Sequence, residues 1–474
     1  MKRLNLLAVA LWLVIGIYGI FYNITYIDEA KYLIKGWLIT TGQVGYYSTP
    51  EFFYQHMPGG LLWYGLGQKI FGPNLLIARI QSFLTGTIVL WFTYLLAKKI
   101  NPKTSILAVL SLAPLAILYY SAAVPQSLAA LTLVLGFYFL YANRYRWATV
   151  AFTLSFIVRE NFLFTLIIYW FWLALVFRKN IKELLINYLI SLGILGLFLI
   201  PGWTGVVNVL KNLPGISWIL PISPAEKAVL DSNWIKYDFS PAQYWQAIKE
   251  FGGLFFSFGL AGLLSIYHGW KTNRLWSKDS RWRLLLIITG FNLLAHGWSA
   301  ANLSPRAIIP YFSYIFPLVA IIIVANLPPI KNKIYSFWLL LALLGLPFAS
   351  LFQLPNRVDT ISQLSISAQA LKPIIAEEKN IIWLTEPMSL YLAGRISYYP
   401  LINSANFFKP ASDTNTVAGL GFWNQAMLDQ WLAQSTLFVI DENNLKSLEL
   451  KPSLYQLTEI RNDIWPGSLY FFKQ

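Results

Sequence analysis

No cysteine occurs among the 474 residues. Disulfides, thiolate-held metals and cysteine nucleophiles are therefore excluded. Charge is also scarce, at 12% of residues, where soluble domains carry about 25%. That shortage rules out an ordinary cytosolic enzyme and a disordered chain. The net charge of +15 and a pI of 9.6 suggest nucleic acid at first sight. The basic residues, however, sit in small groups between long apolar runs, without the single solvated face of a nucleic-acid binder. No Gly-rich phosphate loop follows a strand-like run. What the chain has in abundance is apolar surface: 57% hydrophobic residues, a mean hydropathy of +0.53, and 17% aromatics with 20 Trp and 27 Tyr. Such aromatics suit interfacial belts and sugar-stacking surfaces.

A bilayer core needs about 20 apolar residues per helix. Runs of this kind cover Leu4–Tyr22, Leu75–Ala97, Ser105–Tyr120, Gln126–Tyr141, Trp147–Val158, Phe162–Phe177, Leu184–Trp203, Gly253–Trp270, Leu284–Ala300, Ala307–Asn326 and Ile334–Phe352. The expectation is a polytopic α-helical membrane protein of about eleven spanning helices. The shorter runs would be tilted, broken or shielded inside the bundle. The first run lacks an Ala-x-Ala cleavage pattern and reads as a retained helix.

Charge sets the orientation. With the N-terminus in the cytoplasm, the alternating inner segments hold Lys2 and Arg3; Lys98, Lys99 and Lys103; Arg144 and Arg146; Arg178, Lys179 and Lys182; Lys271, Arg274, Lys278, Arg281 and Arg283; Lys331 and Lys333. Only Glu183 and Asp279 oppose them. This is the positive-inside pattern, and it places residues 23–74, 204–251 and 353–474 on the exterior. The implied location is a membrane that the chain crosses many times.

From Gln353 the long apolar runs stop. Strand-like runs appear at Ile381–Thr385, Ile396–Tyr399, Thr436–Ile440 and Ser468–Phe472, with helical stretches at Met388–Gly394 and Asn424–Gln434. Alternation of this kind predicts a small exterior α/β domain over 353–474, behind a transmembrane domain over 1–352. Asp441-Glu442, at a strand end, reads as a turn.

The first exterior segment opens with Tyr26-Ile27-Asp28-Glu29-Ala30-Lys31-Tyr32. Read blandly, Asp28 caps a helix and Lys31 neighbours it at i+3. Read chemically, a carboxylate at a low-dielectric interface is pushed upward in pKa and suits proton abstraction or a cation. Farther along, Glu51-Phe52-Phe53-Tyr54-Gln55-His56-Met57-Pro58 mixes aromatics with one acid and one histidine. It reads either as an interfacial amphipathic helix or as a pocket for a sugar or headgroup.

Taken together, these segments resemble the GT-C glycosyltransferases, most closely the bacterial relatives of protein O-mannosyltransferases and of aminoarabinose transferases. Asp28–Tyr32 resembles the family's Asp-Glu-x-Arg-Tyr motif. Gly42-Gln43-Val44-Gly45-Tyr46 and His56-Met57-Pro58-Gly59-Gly60-Leu61 resemble its Gly-x-x-x-Tyr and His-x-Pro-Pro-Leu elements. Arg159-Glu160, Ser304-Pro305-Arg306-Ala307-Ile308-Ile309-Pro310 and Tyr391-Leu392-Ala393-Gly394-Arg395 resemble later segments. Order, spacing and sidedness carry the resemblance over nearly the whole chain.

What the resemblance implies is an inverting transferase. It would move a monosaccharide from a polyprenyl-phosphate-sugar donor to a lipid, glycan or protein acceptor at the exterior face. Asp28 takes the role of acid-base residue and Glu29 that of a positioning group. Lys31, Arg159 and Arg306 are cations for the donor phosphate, with Lys31 standing where the family often has Arg. Tyr46, Tyr54, His56, Glu160 and His296 are assigned to substrate binding. Membrane lipids are expected partners and nucleic acid is not. No cofactor is required, although carboxylates and a histidine leave a divalent metal open.

Three positions depart from the pattern: Gln126 replaces an acid, Met57-Pro58-Gly59 lacks the second Pro and its lysine variant, and Ala307 replaces a Tyr. Bland alternatives stand beside several assignments. Arg159-Glu160 reads equally as a salt bridge, and His268 and His296 as structural histidines. Two rival functions remain open on sequence, a transporter or flippase and a non-catalytic glycolipid binder. A transporter would place its ionisable residues near the bilayer midplane. Here the singled-out charges lie at one face.

Overall fold

The structure is a computed structural model. It describes residues 2–22, 27–47, 56–112, 116, 119–211, 220–231, 261–272, 278–303, 308–328, 331, 334, 360–395, 407–409, 413–448, 456–464 and 467–473, with the side chains of 2–5, 7–8, 27, 111, 230–231 and 296–311 outside the description. The chain forms two compact units. The first joins Met1–Ile20, Arg79–Phe198 and Tyr237–Gln353; the second joins Phe21–Ala78, Leu199–Lys236 and Leu354–Gln474.

The first unit is helical. Helix α1 spans Lys2–Tyr22, and a later helix, named α4 below, spans Leu75–Ile100. At 1.5 Å per residue, the 26 residues of Leu75–Ile100 reach about 39 Å, more than a bilayer core of about 30 Å. Asn74 caps it through Oδ1, which accepts from the Leu76 amide at 2.8 Å. Lys98 and Lys99 close its last turn, where cations oppose the helix dipole. Helix Ile181–Leu199 runs through a 3-10 turn at Ile200–Gly202 into Trp203–Lys211, and it too is long and apolar enough to cross a bilayer. Helices Gln126–Tyr141 and Tyr145–Val158 form an antiparallel pair joined through Asn143, the one non-glycine residue with positive φ among those described.

Aromatic edges fill the space between helices. Phe137 meets Phe152 at 5.1 Å, and Phe152 meets Tyr169 at 4.5 Å. A polar seam runs through the same apolar bundle. Thr149 donates to Asn187 Oδ1 at 2.7 Å and shares a 2.8 Å bond with the Tyr169 hydroxyl; Thr153 and Ser191 pair at 2.7 Å. Hydroxyls and amides paired this way hold helices together where no water can satisfy them. His268 Nδ1 bonds the Asn326 carbonyl at 2.8 Å, a structural histidine as expected.

The eleven expected spans do not all appear as single helices. In the run Ser105–Tyr120 the helix Ile106–Ser111 ends three residues before Pro114, and residues 113–115 and 117–118 lie outside the described residues. Proline has no amide to donate and clashes with the preceding turn. Ile334–Phe352 lies almost wholly outside the described residues.

The second unit holds helices α2 (Ile27–Thr40) and α3 (Pro58–Phe71), which precede α4, and a four-stranded sheet. The strands are β1 (Ile381–Leu384), β2 (Leu437–Asp441), β3 (Gln456–Arg461) and β4 (Leu469–Lys473), in the order β1-β2-β4-β3. β1 and β2 are parallel, with Ile381 opposite Leu437; β4 runs antiparallel to both β2 and β3. One sheet face packs on Trp423, Trp431, Phe422 and Leu428, and Val229 of helix Pro224–Asp231 joins the same core. Three expected strands and both expected helices are found within a few residues. Ile396–Tyr399 lies outside the described residues, and β3 was not expected. It is an edge strand, largely exposed, with Glu459 and Arg461 along it, so it lacks the apolar alternation that marks a half-buried strand. Asp441-Glu442 is a strand end that starts a helix: Asp441 Oδ1 accepts the Asn444 amide at 2.9 Å.

Candidate functional site

The acidic residues of α2 sit in its first turn, where a helix N-terminus favours negative charge. Asp28 and Lys31 are three residues apart and share one face. Lys31 Nζ stands 3.7 Å from Asp28 Oδ1, with the lysine side chain 4% exposed and the aspartate 38%. The pair is thus a buried cation beside a carboxylate that water can reach. Glu29 is fully buried.

The rest of the loop fixes α2 against α3. An added Cβ on Gly65 would lie 2.2 Å from the Gly36 carbonyl oxygen, and one on Gly36 would lie 2.5 Å from that of Leu61. The two helices therefore touch backbone to backbone, a distance that only glycine permits. α2 stops at Gly42, whose φ of +76° gives the left-handed turn of a helix C-terminus; the Gln43 amide returns to the Leu38 carbonyl at 2.8 Å. The first glycine of the Gly-x-x-x-Tyr element is a helix terminator. Its Tyr46 is half-buried in the turn beyond. Pro58 occupies the first turn of α3, where its missing amide costs nothing. His56, just before it, stacks on Tyr32 with ring centroids 5.9 Å apart. The structure thus joins Asp28 to Lys31 and joins His56 to α2 through Tyr32.

Two residues of this region escaped the sequence reading. Lys35, one turn beyond Lys31, is fully buried, and burial pulls its ammonium down to about 7. Glu386 stands just past the carboxyl end of β1 and is 8% exposed. Burial pushes its carboxyl up to about 8. Lys31 and the Met388 amide oppose the shift, and the charges of Asp28 and Glu29 add to it. Helix Met388–Leu392 follows and packs on α2. Its Tyr391 donates to Gln68 Oε1 at 2.7 Å, and Gln68 Nε2 donates to the Leu33 carbonyl at 2.8 Å. A polar relay so ties the C-terminal segment to α3 and α2. The end of the Tyr-Leu-Ala-Gly-Arg element is structural: Gly394 has φ +90°, and Arg395 donates to the carbonyls of Glu378 and Lys379. One signal could have revealed Glu386. It is an acid directly after an apolar strand, and the carboxyl ends of parallel strands are where open α/β sheets place ligands.

The first unit holds the other pair. Arg159 links helix Tyr145–Val158 to the 3-10 turn Glu160–Phe162 in extended conformation. Its Nε lies 3.8 Å from Glu160 Oε1, both side chains are nearly buried, and its guanidinium lies 5.9 Å from the Tyr314 ring centre. Gln126 begins its helix buried, with Oε1 lacking a partner among the described residues. Tyr54 and Arg306 lie outside the described residues, as does the side chain of His296. Among the described residues, no three His, Asp or Glu side chains gather as a metal ion would require.

The fold matches that of a solved protein over nearly its whole length. It is similar to that of ArnT from Cupriavidus metallidurans bound to undecaprenyl phosphate, with a TM-score of 0.57 and 14% identity over 98% of this chain and 97% of that one. The apo structure of the same ArnT gives a TM-score of 0.59 at 13% identity, over the same shares. No protein-family model matches the chain, and no curated protein matches it.

Proposed function

We propose that this chain is an inverting glycosyltransferase of the membrane. It moves a monosaccharide from a polyprenyl-phosphate-sugar donor to a lipid, glycan or protein acceptor at the exterior face. The observation that carries this reading is the half-exposed Asp28 beside the buried Lys31, set in a fold that matches, end to end, a protein crystallised with undecaprenyl phosphate.

The chemistry follows from the pair. An acceptor hydroxyl must lose its proton as its oxygen attacks the anomeric carbon. Asp28 takes that proton, while Glu29 helps position the group. The bond from the anomeric carbon to the phosphate oxygen breaks on the opposite side, and its electron pair leaves with the lipid phosphate. The charge gathering there needs cations, and Lys31, Arg159 and Arg306 are assigned to it. Lys31 offers a point charge without the bidentate fork of arginine, so paired hydrogen bonds to the phosphate fall to Arg159 and Arg306. Tyr46, Tyr54, His56, Glu160 and His296 are assigned to the sugar and acceptor. In this reading residues 1–352 form the membrane domain and 353–474 an exterior α/β domain. The N-terminus is cytoplasmic, and the chain lies in the inner membrane with its positive loops inward.

The test is comparative mass spectrometry of lipids and surface glycans in the native host: wild type, a deletion strain, and the deletion complemented with Asp28→Asn. Expected is accumulation of one polyprenyl-phosphate sugar in both mutant strains, with one glycan losing that sugar. General-base removal costs about 10²–10⁴-fold in rate. A wild-type glycan pattern with Asp28→Asn would remove Asp28 from catalysis, and an unchanged lipid pool in the deletion would overturn the donor class.

A further inference from the structure

The carboxyl of Glu386 takes no part in the chemistry described so far. It lies on the link Thr385-Glu386-Pro387 between β1 and helix Met388–Leu392 and is 8% exposed. Its Oε1 has no hydrogen-bond partner among the described residues, and neither has Oγ1 of the adjoining, fully buried Thr385. Two orphaned oxygens on consecutive residues are uncommon inside a protein, because each forfeits its hydrogen bonds to water without replacement. The charges that Glu386 feels are those of Lys31, Asp28 and Glu29, all in the first turns of α2. The relay from Tyr391 through Gln68 to Leu33 holds the same segment against that helix. β1 and β2 are parallel neighbours, and Glu386 stands at the carboxyl end of the pair, where such sheets present ligand-binding groups.

We propose that Glu386 is a sugar-contacting residue: its carboxyl hydrogen-bonds a hydroxyl of the donor's monosaccharide, so that the C-terminal segment takes part in choosing the sugar that Asp28 and Lys31 process. The inference rests on the glycosyl-transfer reading of that site. Its chemistry suits the task. Burial keeps the carboxyl largely protonated near neutrality, so it both donates and accepts, as a sugar hydroxyl requires. A neutral acid also avoids a third negative charge beside Asp28 and Glu29. A site built to pair a hydroxyl rejects an analogue that lacks it far more strongly than an apolar pocket does.

The experiment uses the full chain in nanodiscs and two kinds of probe: undecaprenyl phosphate without a sugar, and the glucosyl, mannosyl and galactosyl undecaprenyl phosphates. Wild type is expected to hold one sugar-bearing probe more tightly than the bare lipid. Glu386→Ala should reduce that preference about tenfold, the scale of one hydrogen bond, and leave bare-lipid affinity unchanged. An unchanged preference overturns the role of Glu386 and leaves the transferase reading intact. Equal weakening of both probes also overturns it, as the mark of a structural residue. Failure of wild type to hold any probe overturns both readings together. If the alanine variant does not fold, Glu386→Gln decides. The wild-type preference should fall between pH 6 and 9 as the acid ionises, while that of Glu386→Gln stays flat; a parallel fall in both overturns the proposal.

Discussion

The molecule contains two charge pairs of nearly equal length and opposite accessibility. Asp28 and Lys31 lie 3.7 Å apart, with the acid 38% exposed; Arg159 and Glu160 lie 3.8 Å apart, with the two side chains 11% and 8% exposed. By sequence both are an acid and a cation beside a helix start. The burial of the acid separates them. A carboxylate open on one side can exchange a proton with an incoming hydroxyl while its neighbouring cation stays fixed. A pair closed on both sides has already lost its water and is held by what surrounds it, including the Tyr314 ring. The first arrangement favours proton exchange, and the second favours a cation and an acid held in fixed places on an irregular turn.

Stability measurements can break this contrast. Removing one partner from a buried pair leaves the other charge uncompensated, at a cost of about 3 kcal/mol. Arg159→Met should therefore lower the melting temperature clearly, and Arg159→Met with Glu160→Met should recover most of the loss. Asp28→Asn should cost less than Arg159→Met, because the carboxylate it changes is 38% exposed and partly hydrated while the amide keeps its place beside Lys31, and it is expected to abolish transfer. If Asp28→Asn proves the more destabilising of the two, the pairs have been assigned the wrong way round.

A smaller effect tests what holds Asp28 in place. Gly65→Ala forces a Cβ against the Gly36 carbonyl oxygen. Overpacking costs about 2 kcal/mol, and the better helix propensity of alanine returns roughly 1. Transfer should fall together with thermal stability, because displacing α2 displaces its first turn. Equal stability and activity would mean that the two helices are free to separate.

The smallest effect is a pH slope. The folded-state carboxyl of Glu386 rises from its ordinary 4.5 to about 8. The folded chain holds this proton longer than the unfolded chain does. The associated stability is full below about pH 4.5 and is lost as pH rises through about 8. Melting temperature should thus decline more steeply for wild type than for Glu386→Gln between pH 5 and 9. Lys35, depressed to about 7, has the opposite slope, but it is common to both proteins and cancels from the comparison. Identical slopes would show that Glu386 is solvated.

Much of the fold was legible because apolar runs and turn residues report locally. Helix Gln126–Tyr141 appears at its expected bounds, with Pro125 before it. β1, β2 and β4 appear near theirs, because a buried strand is a short apolar run between polar breaks. β3 was not legible, since an exposed edge strand carries no such run. In the site, Asp28, Lys31 and His56 announced themselves by type and spacing. Lys35 and Glu386 did not, because a lone lysine in an amphipathic helix and a lone acid after a strand are common at the surface.

Composition, run length and the sidedness of basic residues therefore determined a helical chain suited to a membrane, with a mixed segment at its end. These properties depend only on the transfer energy of successive residues and on local backbone preference. Burial and partnership were decided by tertiary structure alone. Gln68 and Tyr391, 323 residues apart in sequence, meet at 2.7 Å. Glu386 is 8% exposed and feels the charges of Lys31, Asp28 and Glu29, which lie far from it in the chain. Desolvation and hydrogen bonding depend on what lies within a few ångströms, and spacing along the chain carries no record of that.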